Sequence, residues 1–202
     1  MTTINDDIAH VDWKHDDQAI EFYEKHKLYF DNFELIEDRE KIVQFIRIKL
    51  RYAESIYKKF RYDQVLEVTA QVEKLNQKLH QDDPEFVKAD QYQRFLAGMV
   101  LGKKKLFRKS NKIFKTLVAE DPQNHMYRVW KSHTTLGLYN WVFNGIAIAG
   151  GVLVLADLVF SLEEKYNVAF NTIGLTMTLV AFLTQEGFKL YFKKKLSPKL
   201  PK

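Results

Sequence analysis

Residues 97–122 read AGMVLGKKKLFRKSNKIFKTLVAEDP, and their pattern decides the fold. Ala97, Gly98 and Ser110 are small, while Phe107, Phe114 and Leu117 are bulky and stand one turn to either side. Two antiparallel helices that touch need a small residue at the crossing and large residues around it. Pro122 ends the unit, since proline cannot continue a helix. The segment therefore predicts a helical hairpin.

Working outward, the same logic holds upstream. Ile42, Phe45, Ile46, Leu50, Ala53, Ile56, Tyr57 and Phe60 trace one apolar stripe. Val65, Val68, Thr69, Val72, Leu75 and Leu79 trace a second, and both follow helical spacing. Asp83-Pro84-Glu85 is a helix start, with an N-cap acid, a first-turn proline and an acid facing the helix dipole. Asp38 and Asp16 read as N-caps of the same kind. AIEFYEKH, 19–26, reads as a half-unit helix packing on the front, and 124–138 as a further helix running on toward an apolar segment. No run alternates as a strand would, and four Pro with eight Gly favour helices with short connections. The expected class is all-α.

These features resemble the tetratricopeptide repeat (TPR). Ala97 and Gly98 fall on its Leu-Gly pair, Phe107 on the aromatic between its helices, Ser110 on its small crossing residue, and Phe114 and Leu117 on its second-helix apolar positions. A weaker match covers 56–75, IYKKFRYDQVLEVTAQVEKL, with Tyr62 at the aromatic position and Val65 at the small one. The chain departs from the family in two ways. Its units lie about 45 residues apart instead of 34, which reads as an extended second helix before Pro84. Lys49 and Arg94 stand where the family prefers Trp. The resemblance implies a TPR-like domain over 38–135, preceded by a helical segment over 1–37. It also implies a concave groove for a peptide or helix of a protein partner. The groove positions would be Arg47, Glu54, Tyr57 and Lys58 from the first unit, with Tyr92, Phe95, Met99 and Lys103 from the second.

Downstream the chemistry changes. NWVFNGIAIAGGVLVLADLVFSL, 140–162, holds 23 residues and one charge. At 1.5 Å per residue it measures about 34 Å, against roughly 30 Å of bilayer hydrocarbon. After SLEEKYN comes a second run, VAFNTIGLTMTLVAFLTQEGFKLYF, uncharged until Glu186. The pair predicts a transmembrane hairpin over 136–192, with spans near 140–162 and 168–190 and a basic tail over 193–202. Arg128, Lys131 and His133 precede it, six Lys follow Phe188, and the loop holds Glu163 and Glu164 against Lys165. This bias places both termini in the cytosol, and Tyr139, Trp141, Tyr166 and Tyr191 fit interfacial anchors. Gly145 with Ala149, and Ala147 with Gly151, form small faces suited to helix packing within the hairpin or to a homo-oligomer, while Thr172, Thr176 and Thr178 can bond across helices. Asp157 and Glu186 are intramembrane acids, the kind of residue that marks an ion pathway at mid-bilayer. Their off-centre depth favours interfacial carboxylates.

The net charge is +5, and the balanced first 135 residues ascribe the high pI to the tail. Lysines ending an apolar segment suit a membrane surface better than nucleic acid. The start, MTTINDDIAHVDW, lacks the basic and apolar regions of a secretory signal. With no Cys there is no disulfide framework, Cys-ligated metal or thiol nucleophile. Phosphate-loop, HExxH and G-x-S-x-G motifs are missing, and the six His are scattered. Arg128 and His133 match the R-x4-6-H spacing of helical HEPN ribonucleases, a pattern short enough to arise by chance. The expected role is a non-enzymatic adaptor or scaffold without cofactor or metal, anchored in a membrane. The Phe-, Tyr- and Lys-rich composition points to a bacterial inner membrane. The alternative is an oligomeric channel or membrane-perturbing effector whose hairpin lines a pore.

Overall fold

The structure, a computed structural model, describes residues 8, 10–33, 36–160 and 164–196. All regular structure among them is helical, so the chain is all-α. It forms two compact units that part between Glu120 and Asp121.

The first unit is built on α3 (Arg39–Lys58), α4 (Tyr62–Asn76), α5 (Pro84–Lys103) and α6 (Phe107–Glu120). α3 pairs with α4 and α5 with α6, and α5 also packs on both α3 and α4. Boundaries recur 45 residues apart: Arg39 corresponds to Pro84, Lys58 to Lys103 and Tyr62 to Phe107. So do the devices that set them. Asp38 accepts from the amides of Glu40 and Lys41 at 2.9 and 3.4 Å, and Asp83 accepts from Glu85 N at 2.9 Å. Each satisfies amides that the first helical turn leaves unpaired. At the other end Phe60 and Lys105 both adopt left-handed backbone, with φ of 62° and 61°. The following amides reach back five residues, Arg61 to Ile56 O at 3.0 Å and Leu106 to Leu101 O at 2.9 Å. This is the Schellman closure, made here without glycine, at a backbone cost of about 1 kcal/mol per turn.

The hairpin crossings are chemically different. Ser110 Oγ donates to Gly98 O at 2.6 Å, and both residues are buried. A Cβ on Gly98 would stand 3.0 Å from the Phe114 ring, so any larger residue must push that ring aside for the helices to stay this close. In the first hairpin Ala53 and Val65 hold the equivalent places, both fully buried. The longer repeat is not an extended helix: α4 ends at Asn76, and 77–83 form a turn pinned by Asn76 Nδ2 donating to Phe86 O at 3.1 Å. Leu79, outside the helix, still plugs the core.

In front, α1 (Asp16–Lys25) packs on α3, and α2 (Lys27–Asp31) follows it. Ala19, Phe22 and Tyr23 are the buried face of α1, with Tyr23 stacked on Tyr52 at 4.0 Å between centroids. Asp16 is not an N-cap. His15 holds that place, and the Asp16 carboxylate turns to α3 instead.

The second unit is α7 (His125–Phe160) packed along α8 (Glu164–Leu196). Each exceeds 30 residues, about 50 Å of helix. Both contain windows long and apolar enough to cross a membrane. α8 begins at Glu164, so most of the expected polar break is helical, and 161–163 lie outside the described residues. The two helices touch at Gly150 and Gly174. A Cβ on Gly150 would stand 2.5 Å from Gly174 O, and one on Gly174 would stand 2.6 Å from Gly150 O. Gly145 and Gly151 have open space, and Gly145 and Ala149 face outward, so of the expected small residues Ala147 borders the crossing that Gly150 and Gly174 make. Among the three threonines, Thr178 lies at the crossing, 3.5 Å from Ala147 O, while Thr172 and Thr176 face outward.

Candidate functional site

A cavity of about 710 Å³ opens on the first unit between the segment before α1, the N-terminal half of α3 and the start of α5. Ile8, Trp13, Val43 and Ile48 supply its apolar lining, and Arg39, Arg47, Arg51, Glu40, Gln44 and Glu85 its polar rim. Helical spacing creates this arrangement, since positions 39–40, 43–44, 47–48 and 51 recur on one face of α3.

Each arginine is fixed differently. Arg39 grips Asp83 through two nitrogens, at 2.7 and 3.0 Å, tying the start of α3 to the cap of α5. That guanidinium, with the Glu85 amide, holds the Asp83 carboxyl below its usual range. Arg47 meets Glu85 at 3.0 Å but keeps 67% of its side chain exposed. Arg51 is the most enclosed. It donates to Trp13 O at 2.6 Å and to Ser55 Oγ at 2.9 Å, and pairs with Asp16 at 2.8 Å. The cavity wall formed by Trp13 is therefore anchored to α3 through its own backbone.

Beyond Arg51 the same face of α3 is closed by a polar network. Tyr92 OH donates to Glu54 at 3.0 Å, and Lys58 Nζ reaches Glu54 at 3.2 Å and Asp16 at 3.1 Å. Burial, reinforced by the Glu54 charge, pushes the Tyr92 phenol well above its ordinary value. Bonding to Asp16 raises Lys58. Burial pushes the Asp16 carboxyl up, but hydrogen bonds from Arg51, Lys58 and Ser55 outweigh it and leave the pKa lowered.

The eight expected groove residues thus fall into groups. Arg47 lines the cavity; Glu54, Lys58 and Tyr92 form the network beside it. Tyr57 lies against Tyr62 at the first turn, with ring centroids 5.7 Å apart. Phe95 packs edge-on against Phe114 at 6.1 Å, and Met99 is buried. Lys103 is exposed at the end of α5. Sequence reasoning missed Ile8 and Trp13, which become walls only once α1 docks on α3.

It also missed a charge concentration. From Gln91 to Ala119 the chain has no acid. Lys105, Arg108, Lys109, Lys112 and Lys115 from this stretch are all exposed, and no ion pair is formed by any of the five among the described residues. Averaging over 135 residues hid this patch, although the acid-free run was there to be counted.

In the second unit, Asn140 Oδ1 accepts from Gln185 Nε2 at 2.5 Å, a polar clasp between α7 and α8. Neighbouring Glu186 is half-buried, and the side chain of Asp157 lies outside the described residues, as do those of Trp141 and Tyr166. Tyr139 and Tyr191 are exposed. Arg128 and His133, five residues apart on one helix, project about 140° apart. Among the described residues no group of three or more His, Asp or Glu could hold a metal. No protein-family model, curated protein or solved structure matches this chain.

Proposed function

We propose that the chain is a membrane-anchored, TPR-like adaptor that holds a segment of a protein partner in the α3–α5 cavity at the cytosolic face of a membrane. The observation that carries this reading is the division of apolar surface between the units. In the second, large side chains turn outward along both helices: Ile148, Val152 and Leu155 on α7, and Leu175, Leu179 and Phe182 on α8, are each more than half exposed. Such a surface suits lipid, where helix packing relies on close small-residue contact of the Gly150–Gly174 kind. In the first unit an apolar-lined concavity is rimmed by arginines. A concave, mostly apolar site with a few fixed polar groups is a binding site in form.

The exposed half of Arg47 favours a partner with a carboxylate beside an apolar side chain. The basic flanks of the hairpin support cytosolic termini. The test is crosslinking and pull-down of the full chain from its native membranes in mild detergent, with Val43→Glu and Arg47→Glu alongside. Recovery of a partner that drops at least tenfold in both variants, with membrane insertion unchanged, is the expected result. Equal recovery in all three sinks the cavity reading, and ion flux through vesicles holding the purified chain replaces the adaptor with a pore.

A further inference from the structure

The outward face of α6 has no visible business within its own unit. Arg108, Lys109, Lys112 and Lys115 follow i, i+1, i+4, i+7 spacing on α6, so they lie in one strip about 10 Å long, and Lys105 stands in the turn just before it. All five are exposed, and none forms an ion pair among the described residues. Lys104 in the same turn is held by Asp63, and the equivalent turn of the first hairpin is neutralised: Lys58 by Asp16, Lys59 by Asp17 and Arg61 by Glu24. Like charges three and four residues apart destabilise a helix unless something anionic compensates them.

We infer that this strip is a contact site for an anionic phospholipid surface. Its charge calls for an extended anionic partner. Its other exposed members, Leu106, Thr116 and Ala119, offer no aromatic ring on which a nucleic-acid base could stack. Four of the five cations are Lys, point charges that suit a layer of headgroups better than forked recognition of one group. Leu106, 43% exposed at the head of the strip, adds an apolar tip that an interface accepts. Only residues 121–124 separate α6 from α7, the helix that carries the first membrane-length segment. In a membrane-anchored chain this tether keeps the strip at high effective concentration near lipid. The inference rests on the membrane reading above and adds to it a lipid class.

The chain lacks cysteine, so Thr116→Cys places a single environment-sensitive fluorophore on the strip. The full-length labelled protein is reconstituted into vesicles of phosphatidylcholine alone or of phosphatidylcholine with phosphatidylglycerol. Flotation and quenching by neutral acrylamide are then measured. The chain should float with both, while quenching falls about fivefold in the anionic vesicles. High salt, or Lys109→Glu with Lys112→Glu, should abolish that protection. Flotation with equal quenching in both compositions overturns the lipid site and leaves the membrane reading intact. Failure to float with either overturns both. Protection by a single-stranded RNA or an acidic peptide in neutral vesicles, with no lipid dependence, gives the strip to another partner and also overturns the inference.

Discussion

Lys49 and Arg94 stand at equivalent places in the two hairpins, and the contrast between them shows what the repeat fixes and what it leaves free. Lys49 is fully buried and donates to Gln71 at 2.7 Å, Tyr23 at 2.8 Å and Asp31 at 3.2 Å. Burial lowers its pKa against the opposing pull of Asp31. Arg94 is a quarter exposed, bonded by two nitrogens to Glu120 and paired with Asp90. Both replace the large apolar residue expected there with a cation bound by acceptors from neighbouring elements. The first hairpin has α1 and α2 to cover its cation, and Asp31 comes from α2. The second draws its acids from α5 and α6, near water. What recurs is backbone: capped starts, left-handed turns and a close crossing. What varies is everything that meets another surface.

The sharpest way to break this comparison is to remove the two cations in turn. Lys49→Ala strands three acceptors and opens a cavity, an expected loss of about 3 kcal/mol, at the low end because Asp31 keeps some access to water. Arg94→Ala, whose partners are solvated, should cost about 1 kcal/mol. Urea unfolding of the detergent-solubilised chain followed by circular dichroism reads both. Equal losses would mean that α1 and α2 contribute nothing to enclosing Lys49.

The crossings come next. Gly98→Val drives a branched side chain into Phe114 and Ile113, with the ring already 3.0 Å from an added Cβ, and should cost about 2 kcal/mol. At the matching place Ala53→Gly removes a buried methyl and loosens the helix, at about 1 kcal/mol. The same titration checks both sizes. A neutral Gly98→Val would show that the second hairpin can open without cost, and that its glycine answers no packing need.

Much of this fold could be read in advance, because its signals are local. Asp38, Asp83 and Pro84 announce helix starts within three residues, and the 42–56 and 65–79 stripes name core faces that are buried, whereas Phe60, expected on the first stripe, falls in the left-handed turn and is 76% exposed. Long-range choices were not legible. Asp16 carries a cap's chemistry, yet Arg51 and Lys58, at least 35 residues away, claim its carboxylate. Gly145 and Gly150 look equally suited to helix contact, and only the rotation of α7 against α8 selects Gly150. The cavity walls Ile8 and Trp13 depend on tertiary docking in the same way. The basic strip on α6 was legible in principle but vanished into an average.

The smallest expected effect concerns the two caps. Both use an aspartate, but only Asp83 also binds an arginine from the other repeat. Asp83→Asn keeps a capping oxygen and loses the ionic link to Arg39, whereas Asp38→Asn keeps all that Asp38 provides. The Arg39 bonds hold the folded-state pKa of Asp83 below 3.8, so the link's stabilisation is complete above the unfolded value and is lost as pH falls through the lowered one. The wild-type chain should therefore exceed Asp83→Asn in stability at neutral pH, and the gap should close as pH drops below 4. At neutral pH Asp38→Asn should match the wild type. A gap for Asp83→Asn that persists unchanged to pH 2 would show that the cap, not the inter-repeat ion pair, is what distinguishes the second helix start from the first.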